Sequence, residues 1–327
     1  MNETVVRSRS ALLRQYYGAA QLGWFHPRSL HWAKVVTEDG FWRWIRSDSG
    51  VRRRLLKKPP VHVYQTVLRF KTDGPPRGWR STGYLLGGPV LFETDLFDKS
   101  EPLSVWKVVD SIHIIDGLVD LMRDRGDYRP DCITYSGFRG VHVMFSQSTT
   151  PKSFITLEGQ DSRPRDLRNF VRSRKHMARS VGCWCREWDW KVSADIWRVA
   201  RVPWSIHGSS ALRAIPLKPR STPSSVTRQL REASPFSFTS SIHVRTKRHI
   251  PPFVFVDGET YGPYGKGWTT RLPIAVALHL IWQDLARPRE AGPRRTSTWF
   301  ERGWQVLFHA SAEARHEHDM SAGRSSG

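Results

Sequence analysis

The chain has 327 residues, a net charge of +21 from 51 Lys and Arg against 30 Asp and Glu, and 39% hydrophobic and 12% aromatic residues. That apolar share excludes disorder of the whole chain, and with no run of 18 apolar residues a membrane-spanning helix is excluded too. The excess charge asks for a polyanionic partner, of which nucleic acid is the commonest; a generally basic proteome is the ordinary alternative.

Residues 1–20 carry Arg7, Arg9 and Arg14 and no apolar centre, which is not the pattern of a signal peptide. Residues 8–20, with Leu12, Leu13, Tyr16 and Tyr17, predict a short helix. Residues 24–60 are rich in Trp and Arg, and 43–58 holds seven Lys or Arg against one Asp. Residues 61–70 alternate as a strand does, Val61, Val63 and Gln65 against His62, Tyr64 and Thr66. A Gly/Pro loop covers 71–81, and 89–96 is the next strand. The clearest amphipathic helix is 105–122, where Val105, Val108, Ile112, Ile115, Val119 and Met122 recur at helical spacing and Gly126 and Pro130 follow. Short strands at 132–135 and 141–145 flank a tight turn. Residues 163–179 predict a basic helix, 196–202 an apolar run and 216–225, with three prolines, a loop. Strand-like pieces follow in 242–256, helical periods in 273–286 and 299–313, and a polar, disordered tail in 316–327. Strands and helices intermix throughout, so the class is α/β or α+β. Three cysteines cannot build a disulfide framework and fit a reducing compartment.

Three clusters carry chemistry. In Phe92-Glu93-Thr94-Asp95, strand alternation puts Glu93 and Asp95 on one face, about 7 Å apart, where they repel unless a cation sits between them. Hard divalent ions suit such oxygen ligands. The apolar residues before them argue for a central strand; a solvated edge is the ordinary alternative. In Ser136-Gly137-Phe138-Arg139-Gly140-Val141-His142, two glycines permit a tight turn, and Ser136, Arg139 and His142 can donate to phosphate oxygens. A plain hairpin turn is as good a reading of those residues alone. In the third, Asp189 lies between Trp188 and Trp190 and needs a cation, either a metal or Lys191 or Arg198. Arg201 and His207 flank a Pro turn and can meet an anion, although a loop hydrogen bond would also explain His207.

Together, in this order, the clusters resemble the archaeo-eukaryotic primase superfamily, and in particular the small catalytic subunit of archaeal and eukaryotic DNA primases. The family's paired Asp motif reads Glu93-Thr94-Asp95 here, its Ser-Gly-basic-Arg-Gly-x-His turn matches Ser136 to His142, and its lone Asp before Val-Ser matches Asp189. Its following Arg-x-x-Arg-x-Pro-x-Ser-x-His stretch matches Arg198 to His207, and the similarity extends over most of 60–286. Three departures stand out. Glu93 replaces an Asp, Phe138 replaces a basic residue, and the stretch between the first two motifs holds no Cys for the zinc knuckle many relatives carry. Cys132, Cys183 and Cys185 lack zinc spacing, so no structural zinc is expected.

The resemblance implies a primase catalytic core with mixed sheets, an RRM-like module and flanking helices. It would occupy 61–290, with an N-terminal helical and basic segment over 1–60 and a C-terminal helix at 291–315. It implies a DNA-dependent nucleotidyltransferase that makes RNA or DNA primers on single-stranded DNA from NTPs or dNTPs. Glu93, Asp95 and Asp189 would hold two Mg²⁺ or Mn²⁺ ions. Ser136, Arg139, His142, Arg201 and His207 would grip the triphosphate. Arg52, Arg53, Arg54, Lys57, Lys58, Arg172, Arg174 and Lys175 would track template and primer. A large primase subunit is the implied partner and the cytoplasm the implied location. The competing readings are a catalytically weakened DNA-binding subunit, a primase-polymerase acting alone, and a metal-dependent nuclease. The basic residues around the acids disfavour the nuclease, which holds no triphosphate.

Overall fold

The computed structural model describes residues 3–23, 32–37, 40–46, 51–70, 85–95, 104–124, 130–138, 140–145 and 197–289, with isolated positions between 168 and 195. In chain order the elements are α1 (Glu3–Ala19), β1 (Trp32–Thr37), β2 (Trp42–Arg46), α2 (Val51–Lys57), β3 (Pro60–Thr66), β4 (Arg69–Phe70), β5 (Leu85–Gly87), β6 (Val90–Asp95), α3 (Val105–Asp124), β7 (Pro130–Tyr135) and β8 (Gly140–Phe145). Then follow β9 (Val199–Arg201), β10 (Ile215–Leu217), α4 (Pro223–Arg231), β11 (Ser241–Thr246), β12 (Phe253–Val254), β13 (Thr260–Tyr261), β14 (Thr269–Pro273), α5 (Ile274–Trp282) and β15 (Ala286–Pro288). This is the mixed α/β class that the sequence pattern predicts.

Two four-stranded sheets, β2-β1-β3-β9 and β10-β7-β8-β6, form the centre. In the second, β6, α3 and β7 make a crossover that leaves β8 between two parallel strands, the split βαβ arrangement. Every hydrogen-bonded strand pair among the described residues is therefore antiparallel, where mixed sheets were expected; β6 and β7 run the same way but do not touch. β6 is an edge strand among the described residues, not the central strand its apolar neighbours suggest. Val90, Leu91 and Phe92 are nevertheless buried, because they pack into the core rather than under a second ladder. α3 turns its apolar stripe, Val105 to Met122, onto this sheet.

One apolar cluster runs from Leu12 to Ala286 and ties the helices to both sheets. α1 buries Leu12, Leu13, Tyr16 and Tyr17, and α2 lays Val51 and Leu55, one turn apart, toward α1. Residues 32–46, read from sequence only as Trp- and Arg-rich, supply two strands of the first sheet. The proline-rich loop expected at 216–225 instead holds the end of β10 and the start of α4. There Thr222 caps the helix by accepting the Ser225 N–H, and Pro223 opens its first turn. The helical period expected over 273–286 stops at Trp282; Asp284 takes a left-handed φ of 61°, and the chain returns as β15. The helix expected at 299–313 lies outside the described residues, as does the tail.

No helix among the described residues is long and apolar enough to cross a membrane.

Candidate active site

The two central sheets face each other across a cavity of about 380 Å³. Strand register builds one wall. Lys34, Tyr64 and Arg201 are cross-strand neighbours on β1, β3 and β9, and Val36 and His62 form the next row. On the other wall, Glu93 of β6 stands directly opposite His142 of β8. Side chains opposite one another share a face, so each row presents its groups together.

Arg201 is 3% exposed. Its guanidinium donates to Tyr64 Oη at 2.8 Å and to His62 Nδ1 at 3.1 Å, and it lies over the Tyr64 ring. Burial, reinforced by the charges of Arg201 and Arg9, pushes the His62 imidazole down to about 2. The ring is therefore neutral, and Nδ1 accepts from both Arg201 and the Gly208 N–H.

Glu93 is the one acid whose side chain is described at the cavity. Oε1 lies 3.1 Å from His142 Nε2, and Oε2 accepts from Arg198 Nη2 at 2.7 Å. Burial by itself would raise this carboxyl, but the His142 and Arg198 contacts outweigh it and hold it down to about 2. Glu93 is thus a half-buried anion at neutral pH. His142 is 5% exposed; its Nε2 is within ion-pair distance of Glu93 but neither ring nitrogen makes a well-aligned hydrogen bond.

Two turns close one end. Ser136 accepts the Gly140 N–H on its hydroxyl at 3.1 Å while its own N–H donates to Gly140 O at 2.8 Å. Gly137 sits at φ 86°, and a Cβ on Gly140 would fall 2.7 Å from the Thr94 carbonyl, so both glycines are dictated by the backbone. Phe138 is buried against His207. The second turn, residues 202–214, packs on the first through the Ser210 hydroxyl, which donates to Gly137 O. It is braced from behind by Tyr16 Oη on Trp204 O and by Arg9 on Gly208 O. His207 Nδ1 accepts the Ser209 N–H at 3.1 Å, the local hydrogen bond that the sequence alone allowed.

The fold therefore brings Glu93, Ser136, His142, Arg201 and His207 to one cavity although 114 positions separate the first from the last. The backbone of Asp95 is paired with Gly140, two positions beyond Glu93 on β6. The Asp95 side chain, Arg139, Asp189 and Arg174 lie outside the described residues, as do Cys183 and Cys185. Arg52, Arg53, Lys57 and Lys58 are exposed on and just after α2, with Arg54 half-buried; Arg172 and Lys175 are exposed. Sequence reasoning left out Arg198, Lys34, His62 and Tyr64 as site residues. The alternation of 61–66 already put His62 and Tyr64 on one face, while Lys34 lay in a stretch with no strand assigned.

Among the described residues no three His, Cys, Asp or Glu side chains gather as a metal-ligand set. The chemistry at Glu93 still fits a hard divalent ion: a carboxylate kept ionised at a polar cavity. Both its oxygens are engaged, so an ion would have to displace His142 or Arg198. Cys132 is half-buried, and burial pushes its thiol up to about 11.

With fold and cavity described, the comparisons can be set beside them: the chain is similar in sequence to archaeal DNA primase small subunits. It is 25% identical over 278 residues to the DNA primase small subunit PriS of Pyrobaculum calidifontis, covering 72% of this chain and 84% of that one. It is 25% identical over 209 residues to PriS of Pyrobaculum arsenaticum, covering 53% and 65%. No family model matches. The polymerase domain of Mycobacterium tuberculosis Ligase D in complex with DNA aligns with 65% of this chain and 75% of its own at 17% identity, with a TM-score of 0.36.

Proposed function

We propose that the chain is the catalytic subunit of a DNA primase, a nucleotidyltransferase that extends a primer on single-stranded DNA. The observation that carries the reading is the meeting of the 136–140 and 202–214 turns, distant in sequence, at the cavity that holds Glu93. Glu93, Asp95 and Asp189 would hold two Mg²⁺ or Mn²⁺ ions. When bound, such ions lower the pKa of an attacking 3′-hydroxyl and neutralise charge on the triphosphate and leaving pyrophosphate.

The chain's own residues supply the rest. Arg201, fixed by Tyr64 and His62, offers a preorganised cation beside the cavity, and Arg139 would add a charge-assisted contact to phosphate. The Ser136 hydroxyl accepts from Gly140 and keeps its own proton for a phosphate oxygen. His142 and Arg198 would have to release Glu93 for it to hold an ion, and their donors would then face the triphosphate. The exposed cations of α2, with Arg172 and Lys175, follow the strand, and Arg174 would join them. The domain plan is a core over 61–290 with 1–60 packed on it, and the relatives' designation as small subunits supports a larger partner.

The experiment is template-dependent incorporation of labelled NTPs and dNTPs, with Mg²⁺ and with Mn²⁺. Incorporation that requires template supports the reading; DNA binding with no incorporation under any of these conditions would overturn it. That second result would favour a catalytically weakened DNA-binding subunit, for which the Arg198 ion pair on Glu93, with His142 against its other oxygen, is the specific observation.

A further inference from the structure

The sheet β14-β11-β15 is packed on α5, and one of its faces is open. Along β11, alternation buries Val244 and Thr246 and exposes His243 and Arg245. Register extends that exposed face into two rows. His243 stands opposite Arg271, and Arg289 continues the row by donating its N–H to His243 O. Arg245 stands opposite Thr269 on one side and Arg287 on the other. All four arginines are exposed, and among the described residues none has a carboxylate partner. Lys247, next along the face, pairs with Asp284.

Like charges directly opposite one another destabilise a sheet, so Arg245 against Arg287 is not there for the fold. Nε of Arg271 donates to Ser241 Oγ and Nε of Arg245 to Gly267 O, which holds both side chains along the sheet. Successive rows lie about 7 Å apart along the strand, so the cations form a grid and not a point. The face is remote from the cavity. α5 lies on the other side of the sheet, and its His279 reaches Ser210 of the cavity turn.

We infer that this face is a second contact surface for the phosphate backbone of a DNA strand, outside the cavity and separate from α2 and 172–175. Charge complementarity carries the inference: a grid of unpaired arginines, in a chain of net charge +21, fits a polyanion of regularly spaced charges. The choice of DNA among polyanions rests on the function proposed above; the arginine grid does not.

The test is fluorescence anisotropy of labelled oligo(dT) with the full chain, without nucleotide or divalent ion, across a salt titration. Arg245→Gln with Arg287→Gln should weaken binding on the order of tenfold and flatten the slope of log affinity against log salt by about 1.4, two single-strand contacts' worth. The same double change to Lys keeps the charge and should keep the wild-type slope. Unchanged affinity and slope in the Gln variant would overturn the inference. So would equal losses in the Lys variant, which would mark a structural defect. Loss of binding to phosphatidylserine vesicles with oligo(dT) affinity intact would assign the face to a membrane and overturn it too. The assay involves no catalysis, so an inactive wild-type chain would sink the proposed function and leave this result standing.

Discussion

Two cross-strand pairs in this molecule are built on opposite rules. At the cavity, Glu93 faces His142, half-buried to buried, with Arg198 completing the pair. On the C-terminal sheet, Arg245 faces Arg287 in the open. The difference is solvent. Away from water an unpaired charge is costly, so the cavity acid is compensated on both oxygens. In water, like charges cost a few tenths of a kcal/mol, so a surface can keep cations in reserve for a partner. On the function proposed, the first site must be opened to act, while the second, slightly destabilising, is free to meet a partner.

The largest break in this contrast is chemical. Asp95→Asn and Asp189→Asn should each reduce incorporation by at least about 10²-fold while DNA affinity holds or rises, since removing negative charge does not weaken a phosphate contact. Near-normal rates in either variant would remove that acid from the site. Arg139→Ala should weaken apparent nucleotide affinity in single-turnover synthesis, and Arg139→Lys should restore it in part, because an ammonium lacks the guanidinium fork. Equal loss in a DNA gel shift would make Arg139 a general DNA contact instead.

Next in size is the stability held in the buried pair. Glu93→Gln should cost up to about 3 kcal/mol at neutral pH, read as a shift in urea midpoint. The folded carboxyl titrates near 2 and the free one near 4.5, so its contribution is whole above pH 4.5 and is lost as pH falls from there toward 2. His62 and His279 are held down by burial, to about 2 and about 4 from 6.5, so their contributions are whole above pH 6.5 and decay below it. Wild type should therefore lose stability from pH 6.5 downward, and Glu93→Gln should run below it and parallel to it above pH 4.5, with a shallower fall below that. Identical curves throughout would mean the Glu93 contacts carry no folding energy. Glu93→Asp, one methylene shorter, should keep activity and lose some of this stability as one of its two partners moves out of reach.

Smaller still, Gly137→Ala should cost about 1–2 kcal/mol, because it forces a left-handed φ and brings a methyl to 3.0 Å from the Leu212 carbonyl. Thermal unfolding measures it, and no change would mean the two turns do not lock. Smallest is Arg245→Glu, which turns a like pair into an opposite one. It should raise stability by about 0.2–1 kcal/mol while lowering oligo(dT) affinity. A loss of stability there would show that Arg245 has a structural role after all.

Much of this was legible in the sequence. Helical spacing gave α3, alternation gave β3, an apolar run gave β6, and the Ser136–His142 motif identified its turn, because period and glycine placement are local properties of the chain. The Thr222-Pro223 helix start was also legible, but the surrounding prolines masked it. The order of the motifs pointed to the primase resemblance before any geometry did. Tertiary structure alone decided which charges meet. No spacing rule joins Arg198 to Glu93, or Lys34 and Tyr64 to Arg201, because those contacts come from sheet register and from two sheets closing on one another. It alone decided, too, that Arg245 and Arg287 stand side by side with no carboxylate partner among the described residues: strand pairing fixes that neighbourhood, and 42 positions of sequence separate them with no hint of it.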